Sequence, residues 1–246
     1  MKILLIGYGK MGQIIEKLAN QRGHQIVGKF DSKTPYSTEN HVQADVAIEF
    51  SCPELALQHI NSCFINNIPV VVGTTGWYNE FDQIKQNRIQ HNGALFTATN
   101  FSLGVNLFFE MGKQLTKIMN GHNYQCNIHE IHHTEKKDAP SGTAITLAEN
   151  VIKSSSTLNH WELADRVQEF NTHDSQDQNA LPIYAERQPN VPGTHILSFE
   201  SSVDSIKLEH EAKNREGFAI GAIVAAEWLI GKTGVFGMSD LLNFEN

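Results

Sequence analysis

Two patterns of apolar and polar positions occur along the chain. In residues 1–101, short apolar runs typical of buried parallel strands alternate with stretches whose apolar residues recur at helical spacing. These runs predict strands at residues 2–6, 25–30, 44–50, 69–72 and 94–98, and the stretches between them include helices at 53–66 and 77–91. Such an alternation of strand and helix indicates a parallel sheet with helices on its faces.

The pattern changes after residue 101. We predict helices at 101–121 and 143–153, a strand at 124–132, and β-like runs at 181–187, 195–200 and 205–211. The polar residues 154–180 are predicted as a short helix at 161–170 and otherwise an extended loop. A last helix at 215–229 is apolar on several faces, so it must be well buried. Strands clustered after a strand–helix region indicate a separate α+β domain with an open mixed sheet.

A glycine-rich turn, Gly7-Tyr8-Gly9-Lys10-Met11-Gly12, joins the first strand to a helix. In this setting Gly7 allows the tight turn, Gly9 lets the backbone approach a pyrophosphate, and Gly12 lets helix and strand pack closely. Asp31 ends the second strand, 19 positions after Gly12, where a carboxylate would accept hydrogen bonds from the adenine-ribose hydroxyls. The motif predicts dinucleotide binding; the alternative is a glycine turn in some other α/β fold.

The chain is therefore predicted to be an α/β protein with three segments. Residues 1–101 would form a Rossmann dinucleotide-binding domain, and residues 102–211 an α+β domain with an open mixed sheet. Residues 212–246 would form a helix and tail that return to the Rossmann domain. Gly73-Thr74-Thr75 and Ala98-Thr99-Asn100 follow two of the predicted parallel strands, at the ends where ligands bind. Taken singly, each of these two segments could equally be a ligand-binding loop or a plain turn at the end of a strand.

The densest group of chemically active residues runs from His129 to Ala144 and contains three histidines, two lysines and a helix start. Asp138 or Ser141 can cap the helix, and Pro140 suits its first turn. Free N–H groups and the dipole at a helix start favour an anion there. Ser141, Gly142 and Thr143 would supply donors, and positive or proton-bearing groups lie just upstream at His132, His133, Lys136 and Lys137. The stretch predicts a site for a small carboxylate or phosphate.

Two other readings of this stretch remain open. The histidines could be ordinary strand and surface residues, and the lysines a solvated turn. A metal site is disfavoured and we predict none, because His132 and His133 point to opposite faces of a strand and no cysteine or acidic group lies at a zinc-like spacing nearby.

Composition narrows the class of protein. The chain has 246 residues, is 40% hydrophobic and carries a net charge of −8, which argues against nucleic acid as the main partner. Three scattered cysteines suggest a reducing compartment rather than a disulfide framework. We see neither a signal peptide nor an apolar run long enough to span a bilayer, so we expect a cytoplasmic protein without membrane partners.

The motifs taken together resemble those of the bacterial dihydrodipicolinate (4-hydroxy-tetrahydrodipicolinate) reductases, nearly end to end. The resemblance rests on the following segments: Gly7-Tyr8-Gly9-Lys10-Met11-Gly12, Val72-Gly73-Thr74-Thr75-Gly76, Asn100-Phe101-Ser102-Leu103-Gly104-Val105-Asn106, Glu130-Ile131-His132-His133, Lys136-Lys137-Asp138-Ala139-Pro140-Ser141-Gly142-Thr143-Ala144 and Phe218-Ala219-Ile220-Gly221-Ala222. It implies hydride transfer from NADH or NADPH to a cyclic dicarboxylate, giving tetrahydrodipicolinate in the diaminopimelate–lysine pathway. It also implies a homotetramer built through the sheet of the second, substrate-binding domain.

By match of motif, the resemblance places His132 and Lys136 in the proton-transfer positions. His133 and Gly142-Thr143 take the substrate-carboxylate positions, beside the donor group of Ser141. The cofactor positions fall on Gly7-Tyr8-Gly9-Lys10-Met11-Gly12, Asp31, Gly73-Thr74-Thr75 and Ala98-Thr99-Asn100-Phe101.

The sequence departs from the family pattern after Asp31, where many relatives carry an arginine that can hold a 2′-phosphate. Ser32 and then Lys33 follow here, so both nicotinamide cofactors remain open and we expect NAD(H) to serve at least as well as NADP(H). Two rival functions are another Rossmann amino-acid dehydrogenase and a non-catalytic nucleotide-sensing regulator. The stretch from His132 to Thr143 argues against the first. The lack of a basic stripe or helix-turn-helix in the sequence argues against the second.

Overall fold

The structure, a computed structural model, describes residues 1–40, 42–164, 177–214 and 216–244. It divides into two compact units. The first unit comprises Met1–Leu103 and Glu216–Asn246, and the second comprises Gly104–Arg215.

The described residues form strands and helices in the following chain order. The strands are β1 Lys2–Ile6, β2 Gln25–Phe30, β3 Val46–Glu49, β4 Val70–Val72, β5 Ala94–Thr97, β6 Gln125–His132, β7 His160–Leu163, β8 Ala180–Arg187, β9 Thr194–Glu200, β10 Ser205–Glu211 and β11 Gly234–Phe236. The helices are α1 Lys10–Gln21, α2 Pro53–Ile65, α3 Phe81–Gln90, α4 Leu103–Met119, α5 Gly142–Ser154, α6 Glu216–Leu229 and α7 Met238–Leu241.

The first unit is built on a parallel sheet with strand order β11-β5-β4-β3-β1-β2. Successive side chains of β1 point to opposite faces, so Ile3 and Leu5 pack with α1 and α6, whereas Leu4 and Ile6 pack with α2 and α3. Helices therefore cover both faces, which explains why its strands read as continuous apolar runs. The predicted α/β fold is confirmed.

The helix α6 belongs to the first unit although it lies at the far end of the chain. Its apolar face enters the core beside α1, and Gly221 approaches the backbone so closely that a Cβ there would lie 1.7 Å from the carbonyl oxygen of Phe101. β11 then pairs parallel to β5 and adds a strand that the sequence pattern does not predict. It is only three residues long, too short to show a period.

The second unit is a mixed sheet with strand order β10-β9-β6-β8-β7. β6 runs antiparallel to β9 and parallel to β8. α4 and α5 pack on one face through Phe108, Leu147, Val151 and their neighbours. Gly112 lies in tight contact with these elements: a Cβ there would lie 3.2 Å from the side chain of Leu147 and 3.3 Å from that of Leu197. This is the open mixed sheet that the sequence predicts.

Two predicted helices differ in the structure. The prediction of a helix at 161–170 is wrong for its first residues, because His160–Leu163 pairs parallel to β8 as strand β7; residues 165–170 lie outside the described part. The extended loop predicted for residues 171–179 falls outside it too, except for 177–179. The helix predicted at 77–91 is a 3-10 turn, Tyr78–Glu80, followed by α3. Within the described residues, no helix is both long and apolar enough to cross a membrane.

Candidate active site

The carboxyl ends of the parallel strands bring the predicted cofactor residues to one edge of the first sheet. There a cavity of about 380 Å³ is lined by Gly7, Tyr8 and Gly9 after β1 and by Asp31 and Ser32 after β2. The cavity continues past Tyr36, Phe50, Ser51 and His59. The structure thus joins the glycine turn and Asp31 in one pocket.

The glycine turn has the geometry that a bound pyrophosphate needs. Gly7 adopts a φ of 94°, and a Cβ there would lie 2.0 Å from the carbonyl oxygen of Phe50. A Cβ on Gly12 would lie 2.4 Å from the carbonyl oxygen of Gly7, so only glycine allows α1 to pack so closely on the turn. Gly9 faces open space, with nothing within 4 Å of a Cβ. A phosphate can therefore approach the N–H groups that begin α1.

Asp31 shapes the loop that lies beside the cavity. Its Oδ1 accepts hydrogen bonds from the N–H groups of Thr34 at 3.0 Å and Lys33 at 2.8 Å, and from the Thr34 hydroxyl at 3.1 Å. These hydrogen bonds hold the pKa of Asp31 below its ordinary value, and the bond from the Thr34 N–H contributes most. A carboxylate lining the cavity is suited to accept from ribose hydroxyls and would repel a phosphate.

The other predicted cofactor residues lie at neighbouring strand ends. Thr74 is buried and its hydroxyl accepts the N–H of Ser51 at 2.8 Å, and Gly73 lies against the ring of Phe50. Asn100 accepts the N–H of Ser102 at 2.9 Å, and Phe101 is buried in the core. Of the remaining residues, Lys10, Thr75 and Thr99 are exposed, whereas Met11 and Ala98 are half-buried against the core.

A buried polar cluster at the end of β3 was missed by the sequence analysis. Glu49 is fully buried and its Oε1 lies 3.3 Å from His59 Nδ1, while the Ser51 hydroxyl contacts both. Ser51 and His59 line the cavity. An acidic residue inside an apolar strand is the signal that could have found it.

In the second unit, alternation along β6 decides where the reactive side chains lie. Cys126, Ile128, Glu130 and His132 all point to the covered face and are buried. Burial raises the pKa of the Cys126 thiol, which makes it a structural residue rather than a nucleophile. Glu130 and His132 are thereby placed next to the start of α5.

The start of α5 is capped by Ser141, one of the two predicted caps, and Pro140 lies outside the helix. The Ser141 hydroxyl accepts the N–H of Ala144 at 3.2 Å, whereas the N–H groups of Gly142 and Thr143 have no acceptor within the helix. Nothing lies within 4 Å of a Cβ on Gly142. An anion can therefore reach this helix start.

Glu130 is the centre of the cluster, with no exposed surface. Its Oε1 accepts the N–H of Ser141 at 3.0 Å and lies 3.6 Å from Arg187 Nη2. Its Oε2 lies 3.4 Å from His132 Nδ1 and 3.6 Å from His195 Nε2. Burial alone would raise the pKa of Glu130, but the contacts with His195 and Ser141 outweigh it and lower that pKa to about 2. Glu130 is therefore an anion at neutral pH.

His132 ends β6, and His133 follows it. Burial lowers the pKa of His132 to about 4, against the opposing effect of the Glu130 charge. A Cβ on Gly193 would lie 2.9 Å from His132 Nε2, so the missing side chain leaves room for the ring. His133 is half-buried, and its Nδ1 has no hydrogen-bond partner among the described residues.

The two adjacent lysines differ in their surroundings. Lys136 Nζ lies 2.8 Å from Asp138 and its side chain is 21% exposed, whereas Lys137 is exposed. Arg187 fastens this loop: its Nη2 donates to the carbonyl of Asp138 at 2.6 Å, and its Nε donates to that of Lys136 at 3.4 Å. In this loop the ammonium group of Lys136 is therefore paired with a carboxylate, whereas Lys137 is exposed to solvent.

Sequence reasoning missed Glu130, Arg187, Gly193 and His195. Glu130 could have been found from its i, i+2 spacing to His132 on a strand, but the other three are distant in sequence. Glu130, His132 and His195 offer ligand atoms within 4.8 Å of one another, a spacing that a metal could use. Because the Ser141 N–H and the Arg187 guanidinium already contact this carboxylate, the contacts favour a hydrogen-bonding role.

Known proteins share both units. A family model described as dihydrodipicolinate reductase, N-terminus, matches residues 1–101, and one described as dihydrodipicolinate reductase, C-terminus, matches residues 104–242. A relative from Christiangramia forsetii named 4-hydroxy-tetrahydrodipicolinate reductase is 46% identical over 99% of this chain and 98% of its own length. A relative of the same name from Staphylococcus epidermidis is 36% identical over 94% and 96%.

A solved structure shows the same fold. It is a dipicolinate-bound dihydrodipicolinate reductase from Paenisporosarcina sp. TG-14, with a TM-score of 0.77 at 20% identity, covering 96% of this chain and 97% of that one. The glycine turn and the polar cluster, with these matches, define the class of protein as a pyridine-nucleotide-dependent oxidoreductase. Since both family models and the relatives match nearly end to end, the chain belongs to the dihydrodipicolinate reductase family.

Proposed function

We propose that this protein reduces 4-hydroxy-tetrahydrodipicolinate to tetrahydrodipicolinate with NADH or NADPH, in the cytoplasmic diaminopimelate–lysine pathway. The observation that carries the proposal is the open start of α5 beside the buried Glu130–His132 pair, in the unit that matches the family's C-terminal model. The relatives named for this reaction support the substrate, a cyclic dicarboxylate.

The substrate needs two anion-binding groups, one for each carboxylate. The N–H groups of Gly142 and Thr143 can bind one carboxylate at the positive end of the α5 dipole, with Ser141 holding the helix start. His133, whose buried Nδ1 makes no hydrogen bond among the described residues, is assigned to the other.

Reduction also needs one proton. The 4-hydroxyl group must leave as water, which gives a conjugated ring. The nicotinamide cofactor, when bound, would supply hydride to this ring, and the electron-rich carbon that results must be protonated. His132 is neutral at pH 7 because its pKa is about 4, so it is not the resting acid. We assign the proton to the ammonium group of Lys136, which is paired with Asp138 in the loop after β6, while His132 helps to set the protonation of Lys136 or holds the substrate. Lys137 is a solvated neighbour.

The cofactor preference follows from the loop at Asp31. Its ionised carboxylate lines the cavity with Ser32, which carries no charge to offset a 2′-phosphate. Lys33 lies next in the chain and can compensate in part. We infer that NADH is used at least as well as NADPH.

The assembly is proposed to be a homotetramer formed through strands β8 to β10. β10 is an edge strand of its sheet, and it carries Ile206, which is 39% exposed. Light scattering at micromolar concentration should give the mass of a tetramer; the mass of a monomer would remove this assignment.

A turnover assay tests the proposed function. The substrate is unstable, so it is generated in the cuvette by a coupled synthesis, and oxidation of NADH and NADPH is followed with and without it. We expect oxidation that depends on the cyclic dicarboxylate. Oxidation with an amino or keto acid instead would indicate an amino-acid dehydrogenase, and binding of cofactor without any turnover would indicate a nucleotide sensor.

A further inference from the structure

The buried Glu130 contacts two groups that act in different ways in the proposed reaction. Through Oε1 it accepts the N–H of Ser141 at 3.0 Å, at the helix start assigned to a substrate carboxylate. Through Oε2 it faces His132 Nδ1 at 3.4 Å. One carboxylate therefore lies between the anion-binding helix start and the histidine of the proton-transfer pair.

The contact between Glu130 and His132 determines which nitrogen of the imidazole ring carries the proton. Within the described residues, neither Glu130 Oε2 nor His132 Nδ1 has a hydrogen-bond partner, although both atoms are buried. Leaving two such atoms unpaired would be costly, and a small rotation of the ring pairs them. A carboxylate can only accept, so the proton must sit on Nδ1. This leaves the lone pair on Nε2, beside the space that Gly193 leaves open.

His195 closes the cluster from the neighbouring strand. The antiparallel register of β6 and β9 places His195 directly opposite Glu130. Its Nε2 lies 3.1 Å from the Ser141 hydroxyl and 3.6 Å from Glu130 Oε2. Glu130, Ser141 and His195 thus contact one another in a closed, buried ring, and both histidine and serine limit the movement of the carboxylate.

We infer that Glu130 is a positioning residue, held by His195, which fixes the orientation and the Nδ1-protonated tautomer of His132 and ties that ring to the start of α5. The inference rests on the proposed function. It extends that function by giving Glu130 and His195 roles in the same site, although neither is assigned to touch the substrate.

The test compares Glu130→Gln with a matched control, Glu135→Gln. Both changes remove one carboxylate charge, but Glu135 is exposed and lies in the turn after β6. We expect Glu130→Gln to lower kcat about tenfold to a hundredfold while KM changes little, the scale seen when an orienting group is lost. Glu135→Gln should match the wild type, and Glu130→Asp, which keeps the charge, should recover part of the loss.

The pH profile separates positioning from a merely structural role. The charged or titratable groups that act on His132 are Glu130 on its own strand, Arg187 on β8, His195 on β9 and Lys136 in the loop, and only Glu130 favours the imidazolium. Glu130→Gln should therefore move the His132 limb of the kcat profile to lower pH, by about one pH unit. A purely structural Glu130 would change the melting temperature and leave kcat per folded molecule and this limb unchanged.

His195→Gln provides a second variant if Glu130→Gln does not fold, and it should lower kcat about tenfold. Wild-type kcat and pH profile in both variants would overturn the inference. So would loss of wild-type activity on prolonged treatment with EDTA and its return with Zn²⁺, because the three side chains would then be metal ligands. If the wild type itself fails to turn over the substrate, the proposed function fails instead.

Discussion

Replacement of Gly193 by alanine is a sharp test of the His132 environment. The added Cβ would lie 2.9 Å from His132 Nε2. The backbone cannot easily withdraw, because the carbonyl of Gly193 accepts the N–H of Ala212 at 2.8 Å. The imidazole is the far end of a side chain, so the ring rather than the main chain must move.

The size of the effect follows from the contact distance. Atoms of this kind normally lie about 3.5 Å or more apart, so the ring must shift by roughly half an ångström. Since a misplacement of about 1 Å can cost about a hundredfold in rate, we expect kcat to fall roughly tenfold. Gly193 also has a φ of 156°, and alanine there should lower the free energy of unfolding by about 1–3 kcal/mol.

The assay is steady-state turnover with the coupled substrate, normalised to folded protein by circular dichroism. Gly121→Ala is the matched control: Gly121 has a φ of 80° in the same unit, but nothing lies within 4 Å of its Cβ position. It should lose stability by about 1–2 kcal/mol and keep wild-type kcat. Equal turnover in the two variants would refute the reasoning that Gly193 makes room for the proton-transfer histidine.

Three further predictions concern other parts of the protein. Lys136→Ala should lower kcat by at least about a hundredfold with cofactor affinity near normal, whereas Lys137→Ala should do little; the reverse result would move the proton donor to Lys137. Asp31→Ala should weaken NADH binding more than NADPH binding in fluorescence titrations, and a hundredfold NADPH preference in the wild type would contradict our reading of this loop. Because burial lowers the pKa of His132 from 6.5 to about 4, the unfolded chain binds a proton there that the folded chain does not. The free energy of unfolding, measured in urea, should therefore fall as the pH falls from 6.5 to about 4. His132→Gln should make this dependence on pH less steep.

Local patterns in the sequence were sufficient for most of the elements. β10 was predicted with the bounds that it has, and β6 differs by one residue at its start. In β6 the alternation of the sequence matches the alternation of buried and more exposed side chains. Local chemistry narrowed the α5 cap to Asp138 or Ser141, since either side chain can satisfy a free N–H group, and the structure shows that the cap is Ser141.

Local patterns failed where strand pairing decides the structure. The segment that begins at His160 has no clear alternation, and it becomes a strand because β8 offers its edge. β11 is too short to have a period, and it forms because β5 offers an edge in the same way. In both cases a partner strand from elsewhere in the chain overrides weak local preference.

The features of the candidate site likewise fall into those that the sequence predicted and those that only the tertiary structure decided. The sequence by itself determined the glycine turn, the acid after β2, and the histidines, lysines and helix start between His129 and Ala144, since each depends on neighbours a few residues away. Only the tertiary structure decided that His195 contacts Ser141, 54 positions away, and that Arg187 lies beside His132 in the β6–β8 register. A register shift of one residue would turn these side chains to the other face of the sheet. That register is set by the packing of the whole unit and by no short stretch of sequence.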